Sequence, residues 1–485
     1  MKSVANFINK KQIVFLGIIF FIGLFLRLYN LKNTRWFTDT GRDILVAKHL
    51  VEYSGNKFIF PLGNGGNILK NSPIYYWIIA SFWFIYPSEI GVISIFAFIG
   101  SLNVILAYIL SKEIFKKEYV LILPFFVSIS DLLIYQSRFL FQPNLIPFFQ
   151  LISFIFLFKG LKRKSFYLWA FQFSFLAALI HYSYLPILMV LFVFICVDSY
   201  LSKSYVLFKK LFVLCVIDIF LFYFLTKSPL IFFKQQFVYS FKNLYNNLFV
   251  NLIQLSNLFI RNNNIFIIIL FYFSFLISLI YLFKKREKKS LLLVILFSSL
   301  IITSTYKIGG YYNSTHPYYL IILIIYSYII SKIKKFHIFL SIFFVFLLSV
   351  TISQNTKNIL VNSKYELEGS RKIVKEIINN TKDLSKVVIA KCFSNDKDSE
   401  CPTCFLGGVW FHLEEASRKK MGIITNNVVF NYTPYSYNSP AKYTYLISDY
   451  EINECLKDLK VNDKRAIEIS SNDGWFLYIL EDYVF

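Results

Sequence analysis

Charged residues are scarce in this chain of 485 residues: they make up 16% of it, against 56% hydrophobic and 20% aromatic residues. This balance, with a mean hydropathy of +0.55, excludes an ordinary soluble domain and indicates a polytopic membrane protein. Acidic residues are scarcer than basic ones, 28 against 51, which gives a net charge of +23. Because the basic residues form short clusters between apolar runs, as cytoplasmic loops do, nucleic acid is excluded as a partner.

Cysteine is also scarce, with six residues in the chain. Cys196 and Cys215 lie in apolar runs, which predicts inert packing residues. No thioredoxin-like context surrounds a CxxC motif in the polar C-terminal part, so we favour disulfides there over a redox role. A zinc site stays an alternative for the four cysteines of that part: Cys392, Cys401, Cys404 and Cys455.

A small-residue cleavage site is absent after the basic N-terminal stretch and its apolar run, so we interpret that run as a retained first span. Eleven runs have the composition of membrane spans: 12–29, 89–110, 119–135, 145–158, 166–181, 185–200, 211–225, 265–283, 291–305, 317–331 and 336–353.

The run 73–86, "PIYYWIIASFWFIY", decides the orientation of all later runs. A helix of this length rises only about 21 Å, short of a hydrocarbon core of about 30 Å, and its Tyr and Trp residues favour the membrane interface. With this run in the interface, the N-terminus and every later basic cluster lie on the cytoplasmic side. The outer face then receives the loops 30–88 and 226–264, the second with an amphipathic helical pattern, and the C-terminal part.

The predicted fold is therefore an all-α polytopic membrane domain of about 11 transmembrane helices plus interfacial helices, residues 1–353, followed by a small extracytoplasmic α/β domain, residues 354–485. In that second domain, helical patterns occupy 367–379 and 409–420. Short β-rich runs alternate with them: "KVVIAKCF", "NVVFNY", "YTYLISDY" and "GWFLYIL".

The first outer loop carries unusual chemistry in "RWFTDTGRDILVAKHL". Thr40 and Asp43 resemble a capping box, which predicts a helix from near Gly41 with Asp39 just before it. Arg42 and Asp43 follow Asp39 within one turn, close enough to share a site with it. These acids could simply cap or solvate a surface helix, but ionisable groups beside lipid are costly and tend to mark a site.

The order of these motifs resembles the GT-C superfamily of membrane glycosyltransferases, in particular the protein O-mannosyltransferase and aminoarabinose lipid A transferase type. The resemblance rests on the first span, the aspartate loop, "PIYYW" on a second short helix and the outer loop "SRFLFQPN". It extends over residues 12–353 and is strongest over 37–144. It implies inverting transfer of a sugar from a polyprenyl phosphate carrier to a lipid, polysaccharide or protein acceptor of the cell envelope.

The resemblance also implies that Asp39 is the catalytic base. The family loop usually carries Asp-Glu, whereas Thr40 stands here after Asp39, which leaves open whether Asp43 acts as the second carboxylate. We expect no cofactor. Transferases of this type generally work without a metal, whereas related oligosaccharyltransferases use one, so a divalent metal stays an open alternative.

Sugar transfer from a phosphate carrier needs a carboxylate for the acceptor proton and cationic groups for the departing phosphate. Arg138 in the outer loop 136–144 is a candidate for that phosphate, with interfacial snorkelling as the alternative. Asn144 in the same loop and Lys70 before the second short helix are further substrate-binding candidates. Tyr75 suits either the sugar pocket or an interfacial anchor.

Two histidines at outer ends of spans complete the candidate set, His181 and His316, with Lys307 in the same loop as His316. A hydrogen-bonded structural role is the alternative for each histidine.

The rival functions are a transporter or flippase of lipid-linked or small solutes, and a scaffold that displays the outer domain. Transporters usually carry ionisable groups near the bilayer midplane and an internal repeat, and no repeat is visible here.

Overall fold

The computed structural model describes residues 2–31, 38–52, 73–226, 280, 287–304 and 311–332, and in the C-terminal part 367–380, 387–392, 429–430, 443–448, 466–472 and 475–480. The chain divides into two compact units, Met1–Tyr29 with Leu50–Lys357, and Asn30–His49 with Asn358–Phe485. The boundary between a membrane domain 1–353 and an outer domain 354–485 stays a prediction.

Helices form most of the described N-terminal part. They are α1 (Lys2–Leu28), α2 (Thr38–Glu52), α3 (Pro73–Ile85), α4 (Glu89–Ile114), α5 (Ile122–Ile129), α6 (Asp131–Ser137), α7 (Ile146–Gly160), α8 (Phe166–Ile180), α9 (Leu185–Leu201), α10 (Tyr205–Thr226), α11 (Lys288–Ser304) and α12 (Tyr311–Lys332). Short 3₁₀ turns at Lys117–Tyr119, Gln142–Leu145 and Tyr182–Tyr184 connect some of them.

Three segments of the described residues are long and apolar enough to cross a membrane: Lys11–Leu28, Glu89–Ile114 and Gln142–Gly160. They support membrane association. The helix α3 has only 13 residues, in agreement with the short second helix predicted from the sequence. Its interfacial position, the count of spans and the orientation of the termini stay predictions. The runs 265–283 and 336–353 and nearly all of the loop 226–264 lie outside the described residues.

The core of this unit forms where α7 packs against α8 and α4, and where α4 packs against α1. Small residues permit the closest approaches. A Cβ atom added at Gly100 of α4 would lie 2.3 Å from the Cβ of Ser137 at the end of α6. Only glycine therefore lets these two helices approach so closely at this point.

The run 119–135 is not one continuous helix, and whether it forms one span stays a prediction. The chain breaks at Ser130 between α5 and α6, with extended backbone angles of φ −61° and ψ 115°. The Ser130 side chain accepts a bond from the backbone N–H of Leu133 at 3.5 Å and shares a hydrogen bond of 2.8 Å with the hydroxyl of Tyr319. A capping serine restarts the helix here because it satisfies a donor that the interrupted ladder leaves open.

The second unit contains helix α13 (Leu367–Asn380) and a five-stranded sheet. Its strands are β1 (Val387–Cys392), β2 (Val429–Phe430), β3 (Tyr443–Ser448), β4 (Ala466–Asn472) and β5 (Trp475–Leu480), in the order β2-β1-β3-β5-β4. β1 is parallel to β2 and β3, whereas β5 is antiparallel to β3 and β4. Four strands lie within the β-rich runs noted in the sequence, and β4 is additional. An extracytoplasmic position of this unit stays a prediction.

Gly100→Ala should destabilise the protein by about 1–3 kcal/mol, because the new methyl group forces α4 away from α6. Gly17→Ala is the matched control, since a Cβ at Gly17 meets nothing within 4 Å, and alanine favours a helix by about 1 kcal/mol over glycine. Thermal unfolding of the purified protein in detergent measures both. Equal midpoints for the two variants would contradict the close contact.

Candidate functional site

The C-terminal end of α1, from which the aspartate loop departs, is held by Arg138. Its Nη1 donates to the backbone carbonyls of Leu26 at 3.0 Å, Tyr29 at 2.6 Å and Arg27 at 3.4 Å. Arg138 is only 5% exposed, and burial lowers the pKa of its guanidinium to about 10, so it remains charged at neutral pH. It is thus a buried helix cap, which differs from the snorkelling arginine considered from the sequence.

Arg27 plays the corresponding part for the end of α5. It lies in α1 and donates to carbonyls about a hundred residues later in the sequence. From the last turn of α1, its guanidinium donates to Val127 at 3.0 Å and Ser128 at 3.1 Å, the last carbonyls of α5. A third bond of 2.9 Å reaches the Gly23 carbonyl. Arg27 is fully buried, so these carbonyls, which carry the negative end of a helix dipole, replace the water it has lost.

The helix α2 carries the predicted catalytic residues. It begins at Thr38, so the predicted start near Gly41 is wrong, and Asp39 lies in the first turn instead of before the helix. An acidic residue in the first turn is favoured by the helix dipole, which accounts for the earlier start. Positions 39, 42 and 43 then share one helix face, as the motif predicts for Asp39, Arg42 and Asp43.

Asp43 is fully buried in the structure. It therefore does not solvate a surface helix, which was one of the two readings of this motif. Ile44 and Ala47 are buried on the same side of α2, so the carboxyl belongs to a packed face. Burying a carboxylate costs free energy. A buried Asp43 that serves neither structure nor function is therefore unfavourable. The side chains of Asp39 and Arg42 lie outside the described set.

The short helix α3 turns its two tyrosines inward. Tyr75 and Tyr76 are fully buried, and their rings meet edge to face with centroids 5.3 Å apart. The Tyr76 hydroxyl accepts a bond of 3.5 Å from Nε2 of Gln142. Tyr75 is consequently a packed residue of this unit and not an exposed interfacial anchor. Lys70 lies outside the described residues.

Asn144 stands in the turn Gln142–Leu145 and lines a small polar cavity. Its Nδ2 donates to the Phe139 carbonyl at 3.3 Å. The cavity also borders Asn103 of α4 and Gln136 of α6 and leaves about 10 Å³ for the centre of a water molecule, enough for one water. Within the described part of the chain, the side-chain oxygens of Asn103 and Asn144 accept no hydrogen bond. Asn144 thus faces an enclosed cavity next to the outer loop.

His181 follows the last residue of α8 and is buried. Its Nδ1 lies 2.9 Å from the Ser183 hydroxyl and 3.2 Å from the Ser183 backbone nitrogen. These short local contacts fit the structural alternative. The backbone of His316 belongs to α12, with its side chain outside the described set, and Lys307 lies outside the described residues altogether.

Among the described residues, the charged side chains inside apolar helices that the sequence reasoning did not single out include Arg27, Asp198 and Asp218. Asp218 lies in the middle of α10, is 5% exposed, and accepts a bond of 2.9 Å from Nε2 of Gln172 in α8. The sequence could have revealed these residues, since an ionisable residue inside an apolar run indicates either a structural bond or a functional site.

A metal centre finds no support in the part of the chain that the structure describes, where no group of three or more His, Cys, Asp or Glu side chains converges. The sequence also offers four cysteines as possible zinc ligands: Cys392, Cys401, Cys404 and Cys455. Only the backbone of Cys392, at the end of β1, belongs to the described residues.

The chain was compared with family models, with curated proteins and with solved structures, and only solved structures match it. No family model matches the chain, and no curated protein matches it. Among solved structures, ArnT from Cupriavidus metallidurans bound to undecaprenyl phosphate matches at a TM-score of 0.54 with 10% identity, over 96% of this chain and 97% of that one. The chain has the fold of ArnT. This confirms, at the level of the fold, the GT-C resemblance seen in the sequence.

A second ArnT structure, in the apo state, agrees, with a TM-score of 0.53 and 9% identity over 97% of this chain and 98% of that one. An oligosaccharyltransferase from Archaeoglobus fulgidus matches at 13% identity over 87% of this chain and 59% of that one, at a TM-score of 0.46, too low to support an argument. The likeness to ArnT therefore extends over nearly the full length of both chains.

Arg138→Met should lower the stability of the protein by about 2–3 kcal/mol, because carbonyls at the end of α1 lose charged donors. Arg138→Lys should recover part of this loss. Thermal unfolding without any added donor lipid separates this role from substrate binding, and the exposed Lys209→Met serves as control. If Arg138→Met unfolds like the unchanged protein, the cap is unimportant.

Proposed function

We propose that the chain is a membrane glycosyltransferase that takes a sugar from a polyprenyl-phosphate-linked donor and passes it to a lipid, polysaccharide or protein of the cell envelope. The observation that carries the proposal is the full-length fold likeness to ArnT, whose structure is described as bound to undecaprenyl phosphate. The aspartate motif on α2 supports it from the sequence side.

The proposed reaction breaks the bond between the anomeric carbon of the sugar and the carrier phosphate oxygen. A new bond forms from that carbon to an acceptor oxygen or nitrogen, with inversion. Asp39 takes the acceptor proton, and the departing polyprenyl phosphate keeps the electron pair and gains negative charge. A hexose or a pentose would serve equally, and the step needs no redox cofactor.

Asp39 is the proposed base because the GT-C resemblance assigns that role to the aspartate of this motif, and its backbone lies in the first turn of α2. Asp43, buried on the same helix, is the proposed second carboxylate. We assign the phosphate to cations from the predicted outer face, Arg42, Lys70 and Lys307. Arg138, occupied by carbonyls of α1, is instead a proposed positioning residue.

Asn144, Tyr75, His181 and His316 remain proposed substrate contacts, of which the first faces a cavity with room for one water. The proposed arrangement in the cell follows the positive-inside rule, with a cytoplasmic N-terminus and the C-terminal α/β part outside. Sugar transfer would then take place on the outer face of the membrane.

Asp39→Asn should lower sugar transfer by about 10²–10⁴-fold, because the amide cannot take the acceptor proton. The measurement is transfer from a panel of polyprenyl phosphate sugars by the protein in lipid nanodiscs. Glu118→Gln is a matched carboxylate-to-amide control, as Glu118 is exposed in the 3₁₀ turn Lys117–Tyr119. Full activity of a folded Asp39→Asn protein would remove Asp39 from the base role.

A transporter of lipid-linked or small solutes is the second candidate, and Asp218 favours it. A carboxyl buried in the middle of an apolar helix and bonded to Gln172 is a feature of ion-coupled carriers. The helix α10 runs unbroken from Tyr205 to Thr226, however, whereas such carriers bind ions at interrupted helices. We therefore rank this function second.

Asp218→Asn tests the second candidate in proteoliposomes. The amide keeps the shape of the side chain but cannot ionise. We expect no flux of polyprenyl phosphate sugars or small solutes that depends on Asp218, whereas flux that disappears in this variant would establish the transporter. Unfolding midpoints of both proteins show whether the substitution leaves the helix pair α8 and α10 intact.

A further inference from the structure

The turn between α7 and α8, residues 159–165, contains four basic side chains and no acidic one. We call it the basic turn. Backbone bonds make it rigid: the N–H groups of Lys162 and Arg163 donate to the Lys159 carbonyl at 3.0 and 2.9 Å, and that of Phe166 donates to Arg163 at 3.1 Å. Its cations are thus presented by a well-defined backbone.

Two of the four cations form ion pairs with acidic side chains of the protein. Lys162 pairs with Glu113 of α4 at 2.8 Å. Lys164 pairs with the carboxylate of Asp198 in α9, which also accepts a bond of 2.6 Å from the Tyr167 hydroxyl. These pairs attach the basic turn to two neighbouring helices, and Lys288 also lies 3.5 Å from the Asp198 carboxylate.

The other two cations, Lys159 and Arg163, make no ion pair with any described residue. They lie over aromatic rings instead. The Lys159 ammonium is 5.8 Å from the Phe166 ring centre, and the Arg163 guanidinium is 5.7 Å from the same centre. Cation–π contacts orient a cation without neutralising it. Two positive charges therefore lie beside the Phe166 ring and can attract an anion.

Below these cations, a patch of four aromatic rings continues along α7 and α8. Phe156 stacks on Phe166 with centroids 5.9 Å apart and on Phe173 at 5.7 Å, and Trp169 lies 6.2 Å from Phe156. Trp169 is 56% exposed. Because Phe166, Trp169 and Phe173 follow helical spacing, the patch forms one continuous side of α8.

Cations at the end of a membrane-length helix, above an exposed aromatic patch, match a lipid with an anionic head. The segment Gln142–Gly160 is long enough to cross a membrane, so the basic turn lies at the depth of the lipid headgroups. We propose that Lys159 and Arg163 bind the headgroup phosphate of an anionic phospholipid whose acyl chain packs on the patch of Phe156, Phe166, Trp169 and Phe173. A soluble anion would leave that apolar patch unused.

Native mass spectrometry of the full chain, titrated with phosphatidylglycerol and with phosphatidylcholine, tests this site. The double variant Lys159→Gln/Arg163→Gln should weaken phosphatidylglycerol binding about tenfold or more, as each basic residue near an anionic headgroup adds substantially to affinity. Binding of phosphatidylcholine should stay unchanged. The charge-keeping variant Lys159→Arg/Arg163→Lys should bind phosphatidylglycerol like the unchanged protein.

The matched control is Lys209→Gln/Lys210→Gln, which removes the same charge from two exposed lysines of α10. An equal loss in this control would mean diffuse attraction and would overturn the site. Inorganic phosphate that displaces phosphatidylglycerol at equal concentration would also overturn it, by showing a free-anion site. Finally, a brominated acyl chain should quench part of the fluorescence of the six tryptophans, and Trp169→Phe should remove the part that the bound lipid quenches.

Discussion

The structure depends first on two buried arginines that bind helix ends. Arg27 gives its donors to the last carbonyls of α5, and Arg138 gives its donors to the last carbonyls of α1. Neither guanidinium could be buried at an acceptable cost without such partners. Since the last turn of a helix carries unsatisfied carbonyls and partial negative charge, each arginine and each helix end compensates the other. The end of α1 is thereby held in place, and Asn30, just after it, has a left-handed φ of 52°.

The two ends of this bundle differ in their electrostatics. At the end where α1 stops, the described cations bond backbone carbonyls. At the opposite end, where α7 stops, lysines pair with Glu113 and Asp198, and Lys159 and Arg163 keep a surplus of positive charge.

Much of the helical framework can be predicted from the sequence, because a long apolar run in a membrane has few stable conformations other than a helix. The bounds of α8 and α9 lie within one residue of the predicted runs. The break at Ser130 was not legible, since it depends on a hydrogen bond to Tyr319, which lies 189 residues away. The role of Arg27 likewise depends on carbonyls about a hundred residues distant. In helices that are apolar on every side, such as α3, periodicity gives no sign of which face is buried, so the burial of Tyr75 had to come from packing.

Cleavage of a polyprenyl phosphate sugar, as opposed to its movement between leaflets, distinguishes the proposed transferase from a transporter. The most direct measurement is mass spectrometry of the carrier lipid during turnover by the protein in nanodiscs, with the acceptor product counted in parallel. For the proposed glycosyltransferase, we expect one free polyprenyl monophosphate for each sugar transferred. Intact donor that only changes leaflet, or sugar drawn from a nucleotide while the lipid stays unchanged, would contradict it.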